Sequence, residues 1–142
     1  ALAEGHWTNQ SKSGLINRPI EKVPECFNRY QVADTGRPSR TEYEVLSEFT
    51  SEETPFSLVR LKLQTGRTHQ IRVHMASLSH PLLGDSIYGH EGFLGFNRAA
   101  LHSFEITCQL PGHQDLAVFS SEMPEDFQKM IAESINSSST LI

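Results

Sequence analysis

The sequence contains few of the features that mark secreted or membrane proteins. Only two cysteines occur among its 142 residues, and Cys26 and Cys108 show no Cys-x-x-Cys spacing. This usage is typical of free thiols in a reducing compartment, so we expect a cytoplasmic protein, with a disulfide between the two as the alternative. No apolar run approaches the roughly 18 residues that cross a bilayer. The composition, with 37% apolar and 20% charged residues, instead predicts one globular domain without a membrane segment.

Acidic residues are absent from one long segment. No Asp or Glu occurs between Thr54 and Gly84. The bases in this segment are Arg60, Lys62, Arg67 and Arg72. The whole chain has 12 Lys and Arg against 17 Asp and Glu, a net charge of −5, and without these four bases the remainder has 8 against 17, or −9. One cationic surface on an otherwise acidic molecule indicates a site that holds an anion.

Hydrophobic periodicity predicts an α+β fold with an antiparallel or mixed β-sheet and few helices. Residues 1–40 are rich in Gly and Pro and indicate only short extended segments. Apolar and polar residues alternate over 41–48 and again over 57–64. This pattern predicts a hairpin with a turn at 51–55, and the solvent-facing side of its second strand is basic.

A helix is predicted over residues 68–78, where Ile71, Met75 and Leu78 form one apolar stripe. Pro81 favours an end to this helix, because proline disfavours helical geometry in the residue before it. The other predicted elements are a loop over 81–95, strands over 104–110 and 116–119, and a helix that starts at Pro124 and buries Phe127, Met130 and Ile131.

The start of the predicted helix is the strongest candidate for a binding site. Unpaired backbone amides at a helix start favour anions. Arg67 lies near that start and carries a planar fork that can hold a phosphate or a carboxylate with two hydrogen bonds. The alternative is a solvated helix end that happens to be basic.

Histidines are frequent, with seven in the chain, and a metal site was weighed for this reason. His69 and His74 are five residues apart, whereas helical metal ligands are usually three or four apart. We therefore favour histidines that hydrogen-bond to the backbone or to RNA, and we predict no metal.

Asp85 and Tyr88 allow two interpretations. We favour a structural turn in which Asp85 accepts hydrogen bonds from local amides. The alternative is a catalytic acid, Asp85, beside a stacking ring, Tyr88.

Four motifs together resemble the C-terminal half of the catalytic domain of RluA-type RNA pseudouridine synthases. They are Thr65-Gly66-Arg67-Thr68-His69-Gln70-Ile71-Arg72-Val73-His74, His80-Pro81-Leu82-Leu83-Gly84-Asp85, Tyr88-Gly89 and Leu101-His102. The sequence differs from the family pattern at Ser79, where glycine is usual, and at Ser103, where alanine is usual. Neither change replaces a group with an obvious chemical role.

The resemblance implies an enzyme that isomerises specific uridines of ribosomal or transfer RNA to pseudouridine without a metal or an organic cofactor. It implies that Arg72 pairs with the catalytic aspartate and that Leu101 lines the base pocket. The family's aspartate motif lies upstream of the matched residues, and none of the four aspartates here has its context. We therefore expect this chain alone to be inactive. The residues expected to contact RNA are Arg60, Lys62, Arg67, Thr68, His69 and Gln70.

The expected organisation is a portion of the catalytic domain over residues 1–134, followed by a disordered tail over 135–142. Two other functions were weighed. One is a non-catalytic RNA-binding module, which the acidic net charge disfavours. The other is a metal-dependent hydrolase that uses the histidines and Asp85, which elemental analysis would distinguish.

Overall fold

The computed structural model describes residues 1–138. Its elements are strands β1 (Leu2–Glu4), β2 (Ser13–Asn17), β3 (Ile20–Lys22), β4 (Tyr30–Val32), β5 (Arg40–Ser51), β6 (Thr54–Leu63), β7 (Glu105–Gln109) and β8 (Leu116–Ser120), helices α1 (Gln70–Ser77) and α2 (Glu125–Ser138), and a 3₁₀ turn at Phe93–Gly95. Every strand pair in this part of the chain is antiparallel. The predicted α+β class is confirmed.

One four-stranded sheet, in the order β1-β6-β5-β2, forms the centre of the molecule. Its hairpin β5–β6 is the predicted one, and its register places Thr41 opposite Leu63 and Val45 opposite Val59. The alternation of the sequence determines which side is buried, since Thr41 and Val59 lie inside whereas Glu44 and Arg60 are exposed.

Two apolar clusters pack on this sheet. The first contains Leu2, Phe56, Leu83, Phe96 and Phe127, and it joins the sheet to α2. The second contains Ala3, Trp7, Val59, Met75 and Leu82, and it joins the sheet to α1. Backbone hydrogen bonds join the segments of the first cluster, because Leu83 N–H donates to Leu2 C=O and Leu2 N–H donates to Ala100 C=O, both at 3.0 Å.

Helix α1 is shorter than predicted and begins at Gln70. His69 precedes it with a left-handed backbone (φ 56°) and makes no side-chain cap. The predicted stripe packs on the second cluster, with Met75 buried and Ile71 and Leu78 partly buried. The buried face is wider than that stripe, because the polar residues Gln70 and His74 are also buried.

The C-terminal part confirms the two predicted strands as the separate hairpin β7–β8. Helix α2 buries Phe127 as predicted, and Met130 and Ile131 pack partly buried beside it. The predicted tail is wrong for residues 135–138, which form the last turn of this helix, whereas 139–142 lie outside the described residues. No helix in the described part is long and apolar enough to span a membrane.

His74 ties α1, from the inside of the protein, to β5 and to the turn between β2 and β3. Its Nε2 lies 2.8 Å from the Arg18 carbonyl oxygen, which can only accept, so this nitrogen carries the proton. Its Nδ1 lies 2.8 Å from Thr41 Oγ1 and can accept the hydroxyl proton. Burial lowers the pKa of His74, because it disfavours the charged imidazolium.

Stability should therefore fall as the pH is lowered through about 6.5, the usual histidine pKa. The unfolded chain then binds a proton at this residue that the folded chain resists, so protonation favours unfolding. Chemical denaturation at neutral and mildly acidic pH measures the effect. His74→Gln should lower the free energy of unfolding by about 1–3 kcal/mol at neutral pH, because hydrogen bonds are lost. It should also make the free energy of unfolding depend less on pH. His113→Gln, at an exposed histidine, is the control, and an equally steep profile for His74→Gln would contradict the assignment.

Candidate active site and RNA surface

Arg72 and Asp85 form the best-ordered ion pair of the site. Arg72 Nε and Nη2 each donate to one carboxylate oxygen of Asp85, both at 2.7 Å. The Asp85 side chain is 0% exposed and that of Arg72 is 19% exposed. Hydrogen bonds to Asp85 raise the pKa of Arg72 above its ordinary value. The third guanidinium nitrogen, Nη1, bonds no other residue in the part of the chain that the structure describes, so it can hold a further acceptor.

The loop before Asp85 fixes this carboxylate in place. Gly84 has a left-handed backbone (φ 69°), and a Cβ there would lie 2.4 Å from the Phe96 carbonyl oxygen, so only glycine fits. Asp85 Oδ1 also accepts the amides of Ile87 and Tyr88, each at 3.0 Å. Burial alone raises the pKa of Asp85, but the bonds from Arg72 and these amides outweigh it and hold that pKa below its usual value.

The predicted structural turn at Asp85 is therefore present, and it has the additional role of holding Arg72. A carboxylate that is fully buried and occupied by four donors cannot serve as a nucleophile or a metal ligand. No group of three or more His, Cys, Asp or Glu side chains that could hold a metal occurs among the described residues.

Aromatic side chains enclose the other side of Arg72. Its guanidinium carbon lies 5.1 Å from the centroid of the Tyr88 ring, a favourable cation–π distance. Tyr88 Oη accepts the Tyr30 amide at 2.9 Å and lies 2.8 Å from His69 Nδ1. Burial and the nearby Arg72 charge lower the pKa of His69, so its neutral ring accepts the tyrosine proton. Tyr30, His69 and Tyr88 thus form one connected polar wall.

Gln70 is the one predicted RNA contact that the structure contradicts. It is 3% exposed, and both ends of its amide are satisfied inside the protein. Its Oε1 accepts Thr65 Oγ1 and the Arg67 amide, at 2.8 and 3.0 Å. Its Nε2 donates to Arg40 C=O and to Thr41 Oγ1, at 3.0 and 2.9 Å. Gln70 instead shapes the turn that presents Arg67.

The basic side of β6 is less basic than its own sequence indicates. The cross-strand partners of Arg60 and Lys62 are Glu44 and Glu42. Arg60 Nη1 lies 3.3 Å from Glu44 Oε2 in an exposed ion pair. Facing carboxylates offset these two cations, so we expect little attraction of RNA from them, although both remain exposed.

Arg67 and Thr68 are exposed, as expected of RNA contacts. They line a cavity of about 480 Å³ together with Lys22 and Arg37. Sequence reasoning missed the latter two, because the cavity joins segments that are 15 to 45 residues apart in the sequence. The excess of Lys and Arg within 1–40 was the only available signal.

Leu101 is partly buried and packs against the cluster of Trp7 and Met75. It does not open the next strand, which begins at Glu105. Its predicted role in a base pocket stays a prediction.

Comparison with solved structures shows the class of this fold. Human RNA Pseudouridylate Synthase Domain Containing 1 matches with a TM-score of 0.71 and 30% identity, over 89% of this chain and 53% of that one. Human RNA Pseudouridylate Synthase Domain Containing 4, at 18% identity and a TM-score of 0.62, shares the fold. Residues 2–77 match the family model described as RNA pseudouridylate synthase. The chain belongs to this family.

Curated relatives confirm the resemblance to the RluA type. An uncharacterized RNA pseudouridine synthase of Bacillus subtilis is 41% identical over 130 residues, which are 92% of this chain and 41% of that protein. Ribosomal large subunit pseudouridine synthase D of Escherichia coli is 33% identical over an alignment 153 residues long, gaps included, that covers 91% of this chain and 45% of that protein. The chain thus spans less than half the length of these relatives.

Proposed function

We propose that this chain is the C-terminal portion of the catalytic domain of an enzyme that isomerises uridines of ribosomal or transfer RNA to pseudouridine. The observation that supports this proposal most is the orientation of the Arg72 guanidinium. Asp85 and Tyr88 hold it in place, while Nη1 has no partner among the described residues. We propose that the enzyme acts in the cytoplasm.

Arg72 has a specific role in the proposed reaction. The resemblance places the catalytic aspartate in the part of the relatives that this chain does not span. A carboxylate in an enclosed pocket loses its charge unless a cation stands beside it. The open Nη1 supplies such a cation, while the fork to Asp85 prevents the guanidinium from turning away.

The rest of the proposed reaction follows from this arrangement. The target uridine leaves its stack and enters the pocket. The aspartate starts the cleavage of the bond between the base and the sugar, and the uracil turns and bonds again through C5. Arg67 and Thr68, together with any contribution from Arg60 and Lys62, hold the RNA backbone, and such contacts position the RNA without reading its sequence.

The proposal predicts that the chain alone makes no pseudouridine, whereas a chimera does. In the chimera, this chain replaces the matched 45% of the E. coli synthase D, so that the upstream part comes from that enzyme. Both proteins are incubated with RNA transcribed without pseudouridine, and the product is read by mass spectrometry. The unaltered E. coli enzyme is the positive control.

The same experiment separates the alternatives. A folded chimera that binds RNA but makes no product would favour the non-catalytic RNA-binding module. Product from the chain alone would overturn the missing-aspartate argument and would require a nucleophile within these residues.

A further inference from the structure

The cavity beside Arg67 is a cationic pocket formed by three separate segments. Its volume is about 480 Å³. The residues that line it are Ile20, Glu21, Lys22, Tyr30, Thr35, Gly36, Arg37, Arg67 and Thr68. Lys22 comes from β3, Arg37 from the turn before β5, and Arg67 from the turn before α1.

The charges of this pocket favour an anion. Its three cations, Lys22, Arg37 and Arg67, are all exposed. None of the three forms an ion pair within residues that the structure describes. This differs from β6, where carboxylates face the cations. Their positive charge is therefore available to a ligand.

The one carboxylate in the pocket, Glu21, is occupied by its own neighbours. Thr35 Oγ1 donates to it at 2.7 Å and Gln31 Nε2 donates at 3.1 Å. These bonds hold the pKa of Glu21 below its usual value, so it stays ionised and contributes one negative charge against three positive charges. Its hydrogen bonds fix the turn that carries Arg37.

That turn is packed closely against β3. A Cβ at Gly36 would lie 2.6 Å from the Ile20 carbonyl carbon. Arg37 N–H donates to Ile20 C=O at 2.8 Å, and Ile20 N–H donates to Arg37 C=O at 3.0 Å. Arg67 Nε reaches the Pro38 carbonyl oxygen at 3.4 Å. These contacts therefore fix the spacing between the backbone segments that carry Arg37 and Arg67.

The pocket adjoins the Arg72 site through side-chain contacts. Tyr30 lines the pocket, and its ring meets His69 edge to face, with centroids 5.6 Å apart. The Tyr30 amide donates to Tyr88 Oη, and the Tyr88 ring covers Arg72. Tyr30 and Tyr88 thus lie between the cationic pocket and the proposed site of chemistry.

We infer that Lys22, Arg37 and Arg67 bind phosphodiesters of the RNA strand, one for each cation, close to the nucleotide that reacts. This inference rests on the proposed function, and it adds Lys22 and Arg37 to the RNA contacts. The cations neutralise the backbone phosphates, and the polar wall of Tyr30, His69 and Tyr88 directs the neighbouring base towards Arg72.

Direct binding to the folded chain tests this inference without any catalysis. The probe is a short fluorescent single-stranded oligouridylate, measured by anisotropy across a salt series. Three phosphate contacts predict a log–log salt slope of about −2, at roughly −0.7 for each contact on a single strand. The double variant Lys22→Gln/Arg37→Gln should bind RNA more weakly, and its slope should be less negative by about 1.4, because two contacts are lost. The control Arg98→Gln/Lys129→Gln removes the same charge from exposed pairs elsewhere and should leave the slope unchanged.

Amide NMR shifts show where the probe binds and whether each variant is folded. The expected result is that the RNA shifts the amides of Gly36 and Thr68, and that inorganic phosphate shifts the same amides more weakly. An unchanged slope in the double variant, RNA shifts confined to other amides, or no RNA binding by the folded chain would each overturn the inference. If the chimera made no product but RNA still bound at this pocket, the result would contradict the proposed function and leave this inference standing.

Discussion

Arg72→Ala in the chimera should lower the single-turnover rate by orders of magnitude while RNA affinity changes little. Asp85 bonds one edge of the guanidinium, and the Tyr88 ring covers one of its faces. These contacts fix the direction in which the unpaired nitrogen, Nη1, points. Without it, the proposed catalytic aspartate loses its counter-charge in an enclosed site, its pKa rises and the ionised fraction falls. The rate is measured at saturating enzyme, and affinity is measured at equilibrium.

Arg72→Lys should recover little of this activity. An ammonium is a point donor on a flexible stem and cannot bond both oxygens of Asp85 while facing another carboxylate. Arg72→Ala also leaves Asp85 buried without its partner, which could unfold the protein. Arg72→Gln/Asp85→Asn removes both charges together, and a low rate in this double variant when it is folded excludes simple unfolding as the cause.

Arg67→Ala should have the opposite effect, with weaker RNA binding and a nearly normal rate at saturation. Arg67 is exposed at the cationic pocket, away from the fork of Arg72. Near-normal turnover in Arg72→Ala would show that the wrong arginine had been assigned to the aspartate.

The periodicity of apolar residues predicted those strands and helices in which it is regular. The alternation over β5 and β6 identified the hairpin and its buried side, because the charged residues Glu44, Arg60 and Lys62 fall on the face towards solvent. Helix α1 was predicted two residues too early, because residues 68 and 69 form a turn and His69 adopts a left-handed backbone, a conformation that its neighbours in sequence do not signal.

Long-range pairing limited the prediction of the site. Gln70 was expected to face RNA because it is polar, yet it is buried where Thr65, Arg67, Arg40 and Thr41 satisfy its amide. Arg60 and Lys62 lie in the predicted hairpin, but the register that places Glu44 and Glu42 opposite them was not predicted. In both cases the polarity of the residue was known, and the identity of its partners was not.

The partner of Arg72 shows the same limit. The resemblance singled out this arginine and implies a catalytic aspartate outside the chain as its partner, a pairing that stays a prediction, whereas in the structure Arg72 pairs with Asp85. Asp85 was assigned to a local turn, and the turn is real. Periodicity could not show that the same carboxylate also reaches back thirteen residues to α1, because that contact depends on the close packing of Gly84 against Phe96 and Arg98.

Asp85→Asn should destabilise the chain by about 3 kcal/mol or more at neutral pH, because breaking a buried ion pair leaves the other charge uncompensated. The asparagine amide would also direct N–H groups at the Arg72 donors, so one of the two bonds would be lost. Asp126→Asn is the matched control. It removes the carboxylate of an exposed pair with Arg98, whose side chains are 46% and 42% exposed, and it should cost about 0–1 kcal/mol.

The pH dependence provides a second, independent check. The folded-state pKa of Asp85 is below its ordinary value, so its contribution is complete above the unfolded pKa of about 3.9 and is lost as the pH falls through the folded value. The difference in unfolding free energy between the wild-type chain and Asp85→Asn should therefore shrink in acid, whereas the small Asp126 difference should stay small. Equal costs for the two variants at neutral pH would show that the Arg72–Asp85 fork contributes no more than a surface pair, and the rigid orientation proposed for Arg72 would then have no energetic basis.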